Sequence, residues 1–262
     1  MLDVATALVR SGDGRSDVHR ARGAGPLRLL CPRAAGDAAW IVTSSLGGGL
    51  VDGDAVALEV TVDHGATCVV TTQASTKVYK GSSRQHTRVT LEPDASVLVV
   101  PDAIVPYRDA SYVQTTEVAL AASSTLVLAD VVTCGRVAYG ERWSATRVDT
   151  TLAITRDGTR LLLDRVLLSG DASARMRRFE ALGTAVLLGP RVCDLAAEQL
   201  ATLAGSGPVS RDAPLIIAGS PLGDGAMFRI AGINVEAVIH ATRDLLRAAC
   251  ARLGEDPWSR KW

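Results

Sequence analysis

Three stretches of the chain align on their turns: LEVTVDHGATCVVTTQ from Leu58, HTRVTLEPDASVLVVPD from His86 and TTEVALAASSTLVLADV from Thr115. Val60, Val89 and Val118 hold one place in that alignment, 29 residues apart each time. A fourth copy, TTLAITRDGTRLLLDRV, begins at Thr150 after a longer gap. Each copy reads strand, short turn, strand, with turn signals at 63–66 (DHGA), 92–95 (EPDA), 121–124 (AASS) and 156–159 (RDGT). Just before the first turn, Val56, Leu58, Val60 and Val62 alternate with Ala57, Glu59 and Thr61, the period of a half-buried strand. A two-stranded hairpin does not bury its apolar face alone. Four stacked copies bury a continuous one. The spacing therefore predicts a mostly β fold, with stacked β-hairpins forming a solenoid-like or two-sheet body over about residues 20–190. Any antiparallel protein shows hairpins near this spacing, so a plain antiparallel body fits the same pattern.

The last third changes character. DLAAEQLATLAG (194–205) predicts a shorter helix, opened by Asp194 and stopped by glycine. NVEAVIHATRDLLRAACARLG (234–254) predicts a long C-terminal α-helix. Its stripe is Val235, Val238, Ile239, Leu245, Leu246, Ala249 and Leu253, with Asn234 as the cap and Gly254 as the stop. The stripe would pack on the β body or on a partner. GSGPVSRDAP (205–214) reads as an exposed loop. No linker separates the parts, so 1–262 reads as a single domain with a helical C-terminal part from about 191 to 262.

Hydrophobic residues make up 47% and charged residues 21%, as in ordinary globular proteins. Basic and acidic residues number 28 each, which argues against a nucleic-acid binder. No run of apolar residues is long enough to span a membrane. The first 25 residues, with Arg10, Arg15, Arg20 and Arg22, do not resemble a signal peptide. Five scattered cysteines, at 31, 68, 134, 193 and 250, suit a reducing compartment, so a cytoplasmic location is expected.

The glycine-rich SSLGGGLVDGD (44–54) invites a phosphate reading, but it fits neither the dinucleotide fingerprint nor the P-loop. A strand pattern follows it, where both motifs require a helix N-terminus. A turn that needs positive φ at several points is the better reading. There is no nucleophile elbow. Of the four histidines, His19, His64, His86 and His240, none has a sequence partner that marks a triad, although a pairing with Cys68 or Cys134 stays open. Metal-ligand pairs such as C-x-x-C or H-E-x-x-H are absent from the sequence. His64 and Cys68 would lie about 13 Å apart along a strand, too far to share an ion.

Polar groups interrupt apolar runs at three places: VTTQASTKVYKG (70–81), VVTCGRVAYGER (131–142) with its Arg136/Glu141 pair, and LLLDRVLL (161–168). Asp164 and Arg165 in the last read as a structural ion pair or as the lining of an internal passage, since a buried Asp is costly unless partnered.

GGGLVDGD (47–54), TTQASTKVYKG (71–81), PDAIVPYRDASYVQ (101–114), GRVAYGE (135–141) and LLLDRV (161–166) resemble, in order, the urease accessory protein UreD family, called UreH in some species. The match is good over about 20–170 and loose afterwards, where DLLRAACARLG and PWSRKW are its traces. Leu46 stands where the family usually has Pro, Asp52 where Gly is common, and Asp130 where Glu is more usual.

The resemblance implies a non-catalytic scaffold-chaperone with a mostly β fold. It would help insert nickel into apo-urease in complex with UreF and, through it, the GTPase UreG, in an assembly made dimeric by its partners. It implies no tightly bound cofactor, with nickel held transiently. By motif position, Asp54, Ser75 and Asp164 would line a polar route for Ni²⁺ that keeps most of its water. Such a route must bind weakly, because nickel sits high in the divalent affinity order and a His/Cys cage would trap it. The exposed face of helix 234–253 or the loops around 101–112 would meet UreF. The competing readings are a generic β-solenoid protein-binding module and a hydrolase with an unrecognised Cys/Ser–His site.

Overall fold

The computed structural model describes residues 3–33 and 36–258. The strands are β1 Val4–Gly12, β2 Arg15–Arg22, β3 Leu27–Leu30, β4 Ala39–Ser45, β5 Ala55–Val62, β6 Thr67–Thr72, β7 Thr76–Val78, β8 Gly81–Leu91, β9 Ser96–Val99, β10 Ile104–Pro106, β11 Ala110–Leu120, β12 Thr125–Thr133, β13 Arg147–Arg156, β14 Thr159–Ser169, β15 Ala181–Leu188, β16 Leu215–Leu222 and β17 Gly225–Gly232. The helices are α1 Ala172–Met176, α2 Cys193–Gly205 and α3 Val235–Arg252. The mostly β architecture and the long C-terminal helix are as the sequence predicts.

The repeat is a stack of coils. In the first three copies the two strands of each copy do not pair with each other. They part into two sheets and pair with the same strand of the next copy, in parallel. Sheet A runs β14-β13-β11-β8-β5-β1-β2 and sheet B runs β16-β17-β15-β12-β9-β6-β4-β3. Val60 pairs with Val89 and Val89 with Val118, all at most 2% exposed, and Ile154 continues the row. The arches between the sheets stack as well. Ala66, Ala95 and Ser124 each donate to the carbonyl three residues back, and the Ser96 and Thr125 amides donate to Ala66 and Ala95 of the preceding coil.

The fourth copy differs. β13 and β14 are a true antiparallel hairpin within sheet A. Its tip, Asp157 at φ 46° and Gly158 at φ 78°, is the two-residue turn with both central φ positive that matches strand twist. β14 thus ends sheet A. Sheet B instead gains β15, β17 and β16, all antiparallel.

A short third side closes each coil. β7 and β10 pair in parallel, and Leu50 of the glycine loop bridges to Val78 at the start of that ladder. The Leu50 amide donates to the Lys77 carbonyl at 2.8 Å, and the Tyr79 amide donates to the Leu50 carbonyl at 2.9 Å. Gly47 and Gly48 have φ of 81° and 70°. A Cβ on Gly49 would come within 2.5 Å of the Lys77 carbonyl oxygen. The loop is therefore a closing turn, and its glycines serve backbone crowding.

One apolar cluster fills the space between the sheets. A second, including Trp40, Val69, Leu98, Leu187, Phe228 and Leu246, lies between the far face of sheet B and the helices. The α3 stripe buries Val238, Leu245, Leu246 and Ala249 against the β body. The Asn234 side chain accepts from the Ala237 amide at 3.0 Å as the expected cap. Val192, not Asp194, is the cap residue of α2, and Asp194 falls in its first turn. Near the C-terminus, Glu255 accepts from the Trp40 indole at 3.1 Å. Residues 259–262 of the PWSRKW motif lie outside the described residues.

Strands begin at Val4, ahead of the body outlined from the repeat, and β16 and β17 lie between the two predicted helices. Their pairing partner is β15, so tertiary contact rather than the repeat defines them.

Ile154 is fully buried at the centre of the row, whereas Leu163 on edge strand β14 is 57% exposed. Ile154→Ala is expected to lower unfolding free energy by about 2–5 kcal/mol. Leu163→Ala should stay within about 0.5 kcal/mol. Urea titration of both variants checks this, and comparable losses at the two positions would contradict the layered core.

Candidate functional site

In-register stacking lines up equivalent positions, and two such rows are polar. On the inner face of sheet A, Gln85 pairs with Gln114 and Thr87 with Thr116; Gln114 then pairs with Thr150. On sheet B, Thr43 pairs with Thr72, and Asp130 pairs with Thr184, which pairs with Arg229. Apolar rows lie to either side, Val60-Val89-Val118-Ile154 on one and Tyr112-Val148-Leu168 on the other. The result is a polar band running along the stack between two apolar layers.

Space accompanies the band. A cavity of about 160 Å³ is lined by Thr72, Ser75, Gln85, Thr87, Asp102 and Gln114 among others, with Gly48 and Leu50 of the glycine loop in its wall. A second, of about 30 Å³, is lined by Asp130, Thr150, Thr151, Asp164 and Thr184. Both are bounded by Val99, Pro101, Gln114 and Thr116, so they adjoin. Roughly 10–15 Å³ with polar partners suffices for a water molecule. Both spaces are therefore large and polar enough to admit water.

Asp130 is the central charge. It is enclosed by protein, and the surface it keeps faces the small cavity. The Gln114 amide nitrogen donates to its Oδ2 at 2.7 Å. The Tyr112 hydroxyl lies 2.9 Å from Gln114 Oε1 and 3.2 Å from Gln85 Oε1. Having one proton, it donates to the nearer oxygen. Burial pushes the Asp130 carboxyl up to about 6, against the Gln114 hydrogen bond and the Arg229 charge, while Asp164 adds to the rise. Asp164 is paired with Arg229, whose other arm donates to Thr184 Oγ1 at 2.8 Å.

The expected residues fall at different places. Ser75 lines the larger cavity and Asp164 the smaller. Asp54 is in neither lining; its Oδ2 accepts from the Val51 amide at 2.8 Å and closes the glycine loop. Neighbouring Asp52 likewise accepts from the Ser82 amide at 2.7 Å. Asp164 and Arg165 do not pair with each other, because successive strand residues point to opposite faces. Arg165 grips Asp149 on the outer face through two bonds of 2.8 and 2.7 Å, and the Arg165 and Arg147 guanidiniums hold that carboxyl down at about 2. The Arg136/Glu141 pair forms, Nε to Oε2 at 2.9 Å.

Thr184 and Arg229 are the site residues that motif reading passes over; Asp130 stood out only as a departure from the family pattern and Gln114 only as the end of a matched block. A further signal existed for Asp130 and Gln114. Thr43, Thr72, Pro101 and Asp130 recur at the 29-residue period, as do Gln85 and Gln114.

The two thiols left open for pairing with a histidine are poorly placed for nucleophilic work. Cys68 and Cys134 are buried, and burial raises both, Cys134 to about 11. His86 instead faces Glu117 at 3.3 Å. Among the described residues no three His, Cys, Asp or Glu side chains form a metal-holding group. No helix among them is long and apolar enough to cross a membrane.

These features define a class: a coiled β scaffold with a hollow, polar and weakly acidic band through its interior. The profile of the family described as UreD urease accessory protein matches residues 3–262. A "Urease accessory protein UreD" of Sorangium cellulosum (strain So ce56) is 42% identical over 255 residues, covering 95% of this chain and 81% of that one. A protein of the same name in Anaeromyxobacter sp. (strain Fw109-5) is 36% identical, covering 96% and 90%. "Urease accessory protein D" of Arabidopsis thaliana is 31% identical, covering 96% and 98%. The chain belongs to the UreD urease accessory protein family.

Asp130 also carries a stability signature. A folded-state pKa near 6, above the usual carboxylate value, means that the folded chain binds this proton more tightly. This contribution to stability is complete below about pH 4 and lost as pH rises through about 6. Asp130→Asn is therefore expected to exceed the wild type by about 1–3 kcal/mol at pH 7.5, the gain vanishing near pH 4. Urea unfolding across that range checks the slope, and a pH-independent difference would contradict it.

Proposed function

We propose that this chain is a non-catalytic scaffold in urease maturation, and that its polar band is the path along which Ni²⁺ moves toward the apo-urease metallocentre. The observation carrying this reading is the pair of adjoining polar cavities, with carboxylates at one end and hydroxyls, amides, Asp102 and a single imidazole, His86, along the rest. Such oxygen donors suit a cation that keeps its water, and the scarcity of nitrogen and sulfur ligands keeps binding weak. Ser75 stands in the larger cavity. Asp164 stands in the smaller one with Asp130. Asp54 acts through the loop it closes, setting the wall formed by Gly48 and Leu50.

The chain works in the cytoplasm within a complex, docking UreF and through it the GTPase UreG. The lack of any P-loop motif supports placing nucleotide hydrolysis in a partner. Since the apolar stripe of α3 is taken up by the β body, any docking by that helix falls to its solvent face, around His240, Asp244 and Arg247.

Asp130→Ala and Asp164→Ala are each expected to lower the nickel content of urease matured in their presence several-fold, with UreF still co-purifying. Asp212→Asn, on an exposed loop, should change nothing. Metal analysis of the purified urease decides the matter. Normal nickel in both alanine variants would overturn the passage.

A further inference from the structure

The small cavity holds two carboxylates, and one guanidinium stands against them. Arg229 lies on β17, in register with Thr184 on β15. Its side chain leaves sheet B, donates to Thr184 Oγ1 at 2.8 Å and pairs with Asp164 on β14. β14 is an edge strand of sheet A, so this ion pair ties that edge to sheet B. The Arg229 side chain is 37% exposed and that of Asp164 21%, so the pair touches both solvent and cavity. The same guanidinium charge acts on Asp130.

Asp130 and Asp164 without a counter-charge would offer a divalent cation two anionic oxygen donors, with the hydroxyl of Thr184 in the same lining. That set would hold an ion rather than pass it. A guanidinium is always charged, is weakly hydrated and matches a carboxylate in shape. It competes with an entering cation without itself becoming a ligand. We propose that Arg229 is the gate of the polar band: it occupies Asp164 as a resident counter-cation, so that a divalent ion passes by displacing it and does not lodge between Asp164 and Asp130. This rests on the cation-passage reading above and adds to it the group that keeps the passage weakly binding.

The test titrates the full-length chain with nickel chloride against a competing chelator. Removing one positive charge beside two carboxylates should tighten nickel binding by at least about tenfold in Arg229→Gln. Arg229→Lys, which keeps the charge, should stay within about threefold of the wild type. Adding Asp164→Asn to Arg229→Gln should cancel the gain. If Arg229→Gln does not fold, Arg229→Met keeps the length without the charge and serves the same arm. Equal affinity in the wild type and a folded charge-free variant overturns the gate, as does a gain in Arg229→Lys equal to that in Arg229→Gln. Equal affinity combined with poor nickel loading by the Asp130 and Asp164 variants would leave the passage standing and remove the gate alone. Normal loading by those variants would remove both.

Discussion

Parallel, in-register pairing of successive coils is the constraint on which the rest of the structure depends. Once β5, β8 and β11 stack without slip, every residue faces its counterpart 29 positions away. A one-residue slip would turn each apolar row out of the core, so the valine row and the register enforce one another. The stacked arches and the short ladder through Leu50 and Val78 hold the coils at both ends of the strands. The glycine loop follows from this geometry. It must pass beneath Lys77 and Tyr79 where a side chain has no room.

The same register makes part of the interior polar. Polar residues that recur in successive coils line up, with Pro101 interrupting the row on sheet B, and the two facing rows form a band. A half-buried Asp between two sheets is costly, and the structure shows how the cost is met: Gln114 donates to Asp130, Tyr112 supports Gln114, and the Arg229 charge favours the carboxylate. Apolar rows on each side keep the sandwich closed around the band. Stability and the proposed transport are thus divided by row rather than by domain, which lets one small β body do both.

Much of the fold was legible because it repeats. The period, the turns at 63–66, 92–95 and 121–124, and the α3 stripe all rest on local pattern. The parting of each copy into two sheets was not legible, since an arch and a hairpin share the same strand-turn-strand text. Of the four repeat turns only RDGT, with its Asp-Gly tip, makes a true hairpin. Strands β16 and β17 owe their place to β15 and carry no copy of the repeat. The site was half legible. Asp164 and Ser75 stood out as polar residues in odd surroundings, and both reach a cavity. Asp54 stood out by motif position alone and closes its loop, because sequence does not tell a carboxylate that caps a turn from one that faces a cavity. Arg229 was hidden, since its partner lies 65 residues away on the other sheet.

The central claim is that open, wet space between the sheets carries the ion. Filling that space tests it more directly than removing any charge. Thr87 and Thr116 adjoin on neighbouring strands and line the larger cavity. A Thr87→Leu/Thr116→Leu double variant would fill the band with apolar volume and leave every carboxylate in place. The account predicts a folded protein that still joins its partner complex while the nickel content of the matured urease collapses. Urease loaded with nickel to the wild-type level by a folded, filled variant would contradict it.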